Sequence, residues 1–245
     1  MLFRSVASPF TAKTLAFLRA LKRNNDREWF RSRKADYEQH VRTPMLALLD
    51  RLGADFKAFA PDLVAEPKVS LFRIYRDTRF SEDKSPLKTH VGAHFPSRRF
   101  PKGKGAGLYV EIAPGWVWMG GGLYMPDSSG LRLVRAAVVE HHRRLRRIVT
   151  SKAFTNAVGG LQGAQLTRVP RGFSPDHPAA EYLKFKQFIG GREWPAVFAT
   201  DDEFYARLLE VFRAVTPLVG FLNDALTAGT GPATGWPPPA AHGRR

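Results

Sequence analysis

The sequence predicts an α+β fold, with a central antiparallel sheet of about four to six strands, the usual size, packed by N-terminal and C-terminal helices. Three observations carry this reading. Apolar residues recur at helical spacing up to Pro61 and again from Leu131, while the stretch between them alternates or runs in branched and aromatic residues. Helices, then strands, then helices again is the order of an α+β domain, and the lack of strand–helix–strand alternation argues against a Rossmann-type fold. Hydrophobic residues make up 44% of the 245-residue chain, enough to bury a core without disulfides or a structural metal.

The elements follow in order. Thr11 is a good N-cap, and Phe10 with Leu15 has the spacing of a hydrophobic staple. The helix behind them, with Leu15, Phe17, Leu18 and Leu21 on one stripe, stops at Asn24-Asn25. Asp26 caps a second helix carrying Trp29, Phe30, Tyr37 and Val41, and Pro44 interrupts it or starts another through Leu48, Leu49, Leu52 and Phe56. Val69 to Arg76 reads as a strand, and Lys88 to Phe95 as a second, with Thr89, Val91, Ala93 and Phe95 on one face and Lys88, His90 and His94 on the other. Leu108 to Ala113 and Trp116 to Gly120 flank Pro114-Gly115 and read as a hairpin. A two-residue loop puts Val110 opposite Met119, Ile112 opposite Val117, Glu111 opposite Trp118 and Tyr109 opposite Gly120. Pro-Gly suits a type II turn, which matches sheet twist less well than the primed types.

From Leu131 a helix has Val134, Val138, His141, Leu145 and Ile148 on its apolar line, with His141 a hydrogen-bonded core residue, and five arginines on the far side. A short helix over 151–158, a strand over Gln165 to Val169 and a helix from Pro178 through Lys186 follow. Thr200 with Glu203 forms a capping-box pattern ahead of a long helix from Asp201 to about Leu226, bent at Pro217. We expect residues 1–226 to be one domain and the Gly/Pro/Ala-rich residues 227–245 a disordered tail.

Composition narrows function by exclusion. The chain has no cysteine, which removes disulfides, thiolate nucleophiles and Cys-ligated metal sites. No apolar run approaches the ~18 residues of a membrane span, so no membrane partner is expected. Met1 to Asn25 is basic and lacks acidic residues, as transit peptides do. Its leucines fit a core helix better, and the expected location is cytoplasmic. The net charge is +16, a field that draws nucleic acid, anionic lipid or phosphorylated ligands.

The densest polar segment runs from Arg73 to His90. Arginine forks at Arg73, Arg76 and Arg79 suit phosphate or carboxylate, and Lys84 and Lys88 add point charges. These five are the candidate ligand-binding residues. The candidate catalytic residues are Asp77, Asp83, His90 and Glu111, as orienting groups or proton carriers. No metal site is assigned. His90 and His94 have helical ligand spacing, but on a strand their rings stand roughly 13 Å apart. Glu66-Pro67-Lys68 behind Pro61-Asp62 is too tightly spaced for a nuclease site. The glycine runs 103–107 and 120–122 lack the Gly-Lys-Ser/Thr ending of a P-loop. Lys88, His90, Tyr109, Trp116 and Trp118 share a sheet face of the kind that holds phosphates and stacks bases. The expectation is nevertheless that helices cover it.

The runs Asn24-Asn25 with Trp29-Phe30, Phe72 through Ser81, Asp83-Lys84 with Pro86 and Lys88-Thr89-His90, Gly120 through Tyr124, and Asp176-His177-Pro178 carry a resemblance. Together they resemble the bacterial and fungal family called domain of unknown function 2461, from about Phe10 to Phe221. Glu82 and Leu87 stand where that pattern more often has Lys and Tyr. The resemblance implies a single soluble domain and brings no activity, cofactor or catalytic residue. The residues themselves leave three functions open. One is capture of an anionic or phosphorylated small molecule. Another is a hydrolase or transferase acting on a phosphorylated or nucleic-acid substrate, which requires Asp77, Asp83, Glu111 and His90 to converge in a pocket. The third is an adaptor with an exposed apolar patch. Cofactor and oligomeric state are unassigned.

Overall fold

A computed structural model describes residues 7–79, 81–101 and 103–228. Among them, four strands form one open antiparallel sheet in the order β1-β2-β3-β4: β1 (Val91–Pro96), β2 (Gly107–Ile112), β3 (Trp116–Leu123) and β4 (Phe188–Pro195). The α+β reading holds, at the lower end of the expected strand number. The hairpin register is the expected one: Val110 pairs with Met119, Ile112 with Val117, Glu111 with Trp118 and Tyr109 with Gly120. The Ala113 N–H closes the turn on the Trp116 carbonyl at 2.8 Å, so Pro114-Gly115 does not shift the ladder.

The N-terminal helices are α1 (Ala12–Arg23), α2 (Arg27–Ser32), α3 (Lys34–Tyr37) and α4 (Thr43–Phe59). Thr11 precedes α1, where its N–H donates to Thr14 Oγ1 at 3.1 Å, and Asp26 Oδ1 caps α2 by accepting from the Trp29 N–H at 2.8 Å. Pro44 does not break the chain's helical path. A π-turn over Glu38–Arg42 absorbs it, with the Thr43 N–H reaching back to the Glu38 carbonyl. Pro44 has no N–H to offer the His40 carbonyl, and that carbonyl instead accepts from the buried Thr14 hydroxyl at 2.6 Å.

The short α5 (Pro67–Ser70) stands where the first strand was expected. Pro67 favours a helical first turn, and the buried Ser70 hydroxyl donates to the Val64 carbonyl at 2.7 Å. The residues after it make only isolated bridges, Leu71 with Ala93 and Tyr75 with Leu87. The second strand likewise starts later than expected, at Val91.

The expected helix from Leu131 is two, α6 (Ser128–Glu140) and α7 (His142–Val149). They break at His141, whose side chain is 51% exposed; it caps the junction and is no core residue. The break aims Arg144 at Asp224 (3.0 Å) while Leu145 stays buried. After α8 (Lys152–Val158), the expected strand over 165–169 reduces to single bridges, Gln162 with Ile189 and Gln165 with Phe185. The helix expected to Lys186 is only α9 (Ala180–Leu183). Ahead of it the His177 Nδ1 accepts the Ala179 N–H at 3.1 Å, and Ala179 is the N-cap. Strand β4 was not expected at all.

A 3-10 turn (Ala196–Thr200) leads to α10 (Phe204–Ala228), with Pro217 inside it. The Thr200 hydroxyl donates back to the Val197 carbonyl, and the Glu203 N–H goes instead to Asp201 Oδ1 at 2.7 Å. Thr227 and Ala228 are helical, and the rest of the expected tail, 229–245, lies outside the described residues.

Helix α10 crosses the inner face of the sheet, on the side of Ala93, Phe95, Val110, Val117 and Met119, all fully buried. Phe212 meets Phe95 at 5.5 Å and Phe56 of α4 at 6.1 Å, so one aromatic cluster joins both helical groups to the sheet. The buried Asn223 of α10 clips the start of β2, accepting from the Ala106 N–H (2.8 Å) and donating to its carbonyl (3.1 Å). Among the described residues no helix is long and apolar enough to cross a membrane.

Candidate functional site

The polar segment is a loop tied at its neck. The Arg76 N–H donates to the Pro86 carbonyl at 3.0 Å and the Lys88 N–H to the Ile74 carbonyl at 2.8 Å, so 74–76 and 86–88 run antiparallel and close off residues 77–85. Leu87 turns its own N–H and carbonyl the other way, and Asn25 takes both. Its Nδ2 donates to the Leu87 carbonyl at 2.9 Å, and its Oδ1 accepts the Leu87 N–H at 3.1 Å. Pro86 has no N–H to extend the pairing and Asn25 occupies the outer edge, which is why no regular strand forms here.

Within the loop the charges satisfy one another. Arg79 holds Asp77 through Nε (3.0 Å) and Nη2 (2.7 Å), and Arg76 holds Asp83 through Nη1 and donates to Ser81 Oγ at 3.3 Å. Lys84 Nζ donates to the Thr78 carbonyl at 3.0 Å. Hydrogen bonding from Ser85, followed by the Arg76 guanidinium, holds the Asp83 carboxyl well below the usual carboxylate range. The Arg79 guanidinium does the same for Asp77.

An open cleft of about 570 Å³ lies beside the neck. Arg76, Asp77, Asp83, Lys88 and His90 line it, joined by Lys22 from the end of α1 and by Asn25. Arg73, Arg79 and Lys84 are exposed and are not among its walls. Sequence reasoning missed Lys22 and Asn25 as site residues. The only signal was the Asn24-Asn25 pair, which reads more simply as a helix stop.

Glu111 reaches the site through His90. His90 Nδ1 lies 3.3 Å from Glu111 Oε1, and the Tyr109 hydroxyl donates to Glu111 Oε2. Glu111 pairs across the ladder with Gly92. A Cβ there would sit 2.9 Å from the Tyr109 hydroxyl oxygen, so glycine leaves that hydroxyl its path to the carboxylate. Burial lowers the His90 pKa below its ordinary value, against the attraction of Glu111 and with the help of Lys88 and Arg76. Burial and the neighbouring Glu111 push the Tyr109 hydroxyl far up, so it stays a donor.

Beyond Glu111 the outer face of the sheet is open. This corrects the expectation that helices cover it: α10 lies against the apolar inner face, and Tyr109, Trp116 and Trp118 are half-buried walls of a groove of about 830 Å³. Phe72, His94, Glu111, Tyr124, Gln162 and several glycines also line the groove. Gly120 and Gly191 face each other across β3 and β4, and a Cβ on Gly191 would collide with the Trp118 indole. The indole therefore lies down over a bare patch of sheet. His94 lines this groove and His90 the cleft. Among the described residues no three His, Asp or Glu side chains come together as a metal-ligand set.

Residues 13–221 match the family model described as a conserved hypothetical protein, DUF2461, and the chain belongs to that family. No curated protein and no solved structure matches the chain.

Proposed function

We propose that this member of the DUF2461 family captures a phosphate-bearing small molecule in the cleft beside residues 76–90. The observation that carries the reading is the meeting of Arg76, Lys88 and Lys22 with His90 on one concave wall. A guanidinium and two ammonium groups at the edge of a cleft give an anion charge-assisted hydrogen bonds that bulk water does not match. Asp83 engages Arg76 through one of its nitrogens. A guanidinium carries five N–H donors, so it can hold the carboxylate and still present donors to a ligand. Arg73, Arg79 and Lys84 would act from the rim, by raising the local concentration of anions.

The His90–Glu111 contact favours a second reading, in which the bound phosphoester is hydrolysed or transferred. Glu111 beside Nδ1 orients the imidazole, and burial keeps it neutral near pH 7, the state in which it can accept a proton.

Thermal-shift titration with inorganic pyrophosphate and ribose 5-phosphate tests the binding reading. Both should raise Tm at low ionic strength, the effect should fade with added NaCl, and Lys88→Gln and Arg76→Gln should weaken it. No shift with either probe in low salt would sink it. For the catalytic reading, phosphate release from a bound phosphoester should depend on His90, with a pH–rate limb that His90→Gln removes.

A further inference from the structure

We propose that the groove on the open sheet face takes the base of a nucleotide whose phosphate lies in the neighbouring cationic cleft. The proposal rests on the anion reading above and adds the chemical class of the ligand. Three rings follow one another across the outer face. Trp118 lies 5.9 Å from Tyr109, tilted by 47°, and Tyr109 lies 5.9 Å from Phe72, tilted by 45°. The row ends on a cation: Lys88 Nζ stands 4.6 Å from the centroid of Phe72, and Lys88 is itself a wall of the cationic cleft. A flat ring stacked along this row therefore has its charged end delivered to Lys88 and Arg76.

The rings belong to an arrangement that keeps them at the surface. Large aromatic side chains ordinarily go to the core, yet all three are only half-buried. The bare glycine pair under Trp118 leaves the indole lying against the sheet. At the mouth, Tyr124 and Met125 are each 69% exposed, and Met125 has φ 47°, a backbone conformation that a non-glycine residue adopts only under constraint. Exposed apolar side chains around a concave aromatic slot are what a ligand-binding mouth presents. A phosphosugar would use the cationic end and leave the rings bare, and an uncharged aromatic would use the rings and leave Arg76 and Lys88 idle. A nucleotide uses both ends. Stacking tolerates any base, and Gln162 on the groove wall, whose Nε2 donates to the Val158 and Gly191 carbonyls, has its Oε1 left to accept from a base edge.

The test is calorimetry and tryptophan fluorescence on the full chain with AMP, adenosine, ribose 5-phosphate and a short single-stranded oligonucleotide. AMP should bind at least about fivefold tighter than ribose 5-phosphate and quench tryptophan emission, since one stacked base contributes about that much or more. Trp118→Ala should weaken AMP by about 5- to 150-fold and leave ribose 5-phosphate unchanged. Phe72→Leu serves as a second variant should Trp118→Ala not fold, and the wild-type quenching needs no variant. An oligonucleotide that binds more tightly than AMP, with a steep salt dependence, supports the base site and identifies a strand as the nucleotide's source. Equal binding of AMP and ribose 5-phosphate without quenching overturns the base site and leaves anion capture standing. Adenosine binding as tightly as AMP overturns anion capture instead. No binding by any of the four overturns both.

Discussion

The charged loop and the aromatic sheet face meet at His90 and Glu111, but different forces hold them in place. Residues 77–85 are fixed at two points, the backbone bonds of the neck and the Asn25 clip, and their charges mostly answer one another at the surface. Tyr109, Glu111 and Trp118 are set by ladder register on strands whose inner faces are fully buried. The first region depends on a few bonds that can be broken singly, and the second on the packing of the whole sheet. The difference teaches which region is fixed by long-range packing and which by a few local bonds. On the proposed reading, a pre-organised surface would supply shape without further ordering cost, and Arg76, while still holding Asp83, would supply its remaining donors.

Substitutions that break each support separate the two regions, and the largest effect is expected on the sheet. Gly191→Ala drives a methyl into the Trp118 indole. It should cost about 1–3 kcal/mol of stability in urea melts, as overpacking does, and alter tryptophan emission as the ring leaves the groove. A wild-type melt and spectrum would mean the indole is not held by the bare glycine patch.

Asn25→Ala removes two hydrogen bonds to the Leu87 backbone. The expected loss is about 1–2 kcal/mol. Hydrogen exchange should show it concentrated at Leu87 and the loop, with β2 and β3 unchanged. Faster exchange throughout the sheet would show that loop and sheet are one cooperative unit.

The junction between the regions should report through pH. Burial holds His90 below its ordinary value of 6.5, so as pH falls the unfolded chain takes up that proton first. The stability contributed by neutral His90 is complete above about pH 6.5 and is lost as pH drops from there through the depressed folded value. His90→Gln should flatten that part of the stability curve. An NMR titration midpoint of the ring above 6.5 would show that Glu111 outweighs burial.

The smallest effect is expected at Arg79. Its pair with Asp77 is solvent-exposed, and Arg79→Ala should leave Tm unchanged within error. A clear drop would mean the loop depends on its charges as well as its neck.

Much of the fold was legible where partners are close in sequence. Thr11 and Asp26 announce their helices, and alternation between 108 and 119 sets the hairpin register. The candidate site was legible in part. The Arg73–His90 segment stood out, but its chemistry alone did not separate Arg76 and Lys88, on the cleft wall, from Arg73, Arg79 and Lys84 outside it. Strand β4 was invisible because Gly190-Gly191 punctuates it like a turn. The pair is there so that Trp118 and Phe154 can approach the strand from its two sides. Asn25 and Asn223 look like ordinary polar residues, and each instead completes a backbone 62 or 117 positions away.

Composition and local pattern were enough by themselves to establish a basic, cysteine-free α+β chain, its first helices, its central hairpin and the segment where charge concentrates. Tertiary structure alone decided which sheet face stays open, which loop charges reach the cleft, and which asparagines hold the neck and the start of β2. Periodicity and capping act between residues a few positions apart and leave a mark in the order of side chains. Burial, backbone completion and the meeting of two clefts depend on partners far along the chain, and such partners leave no local trace.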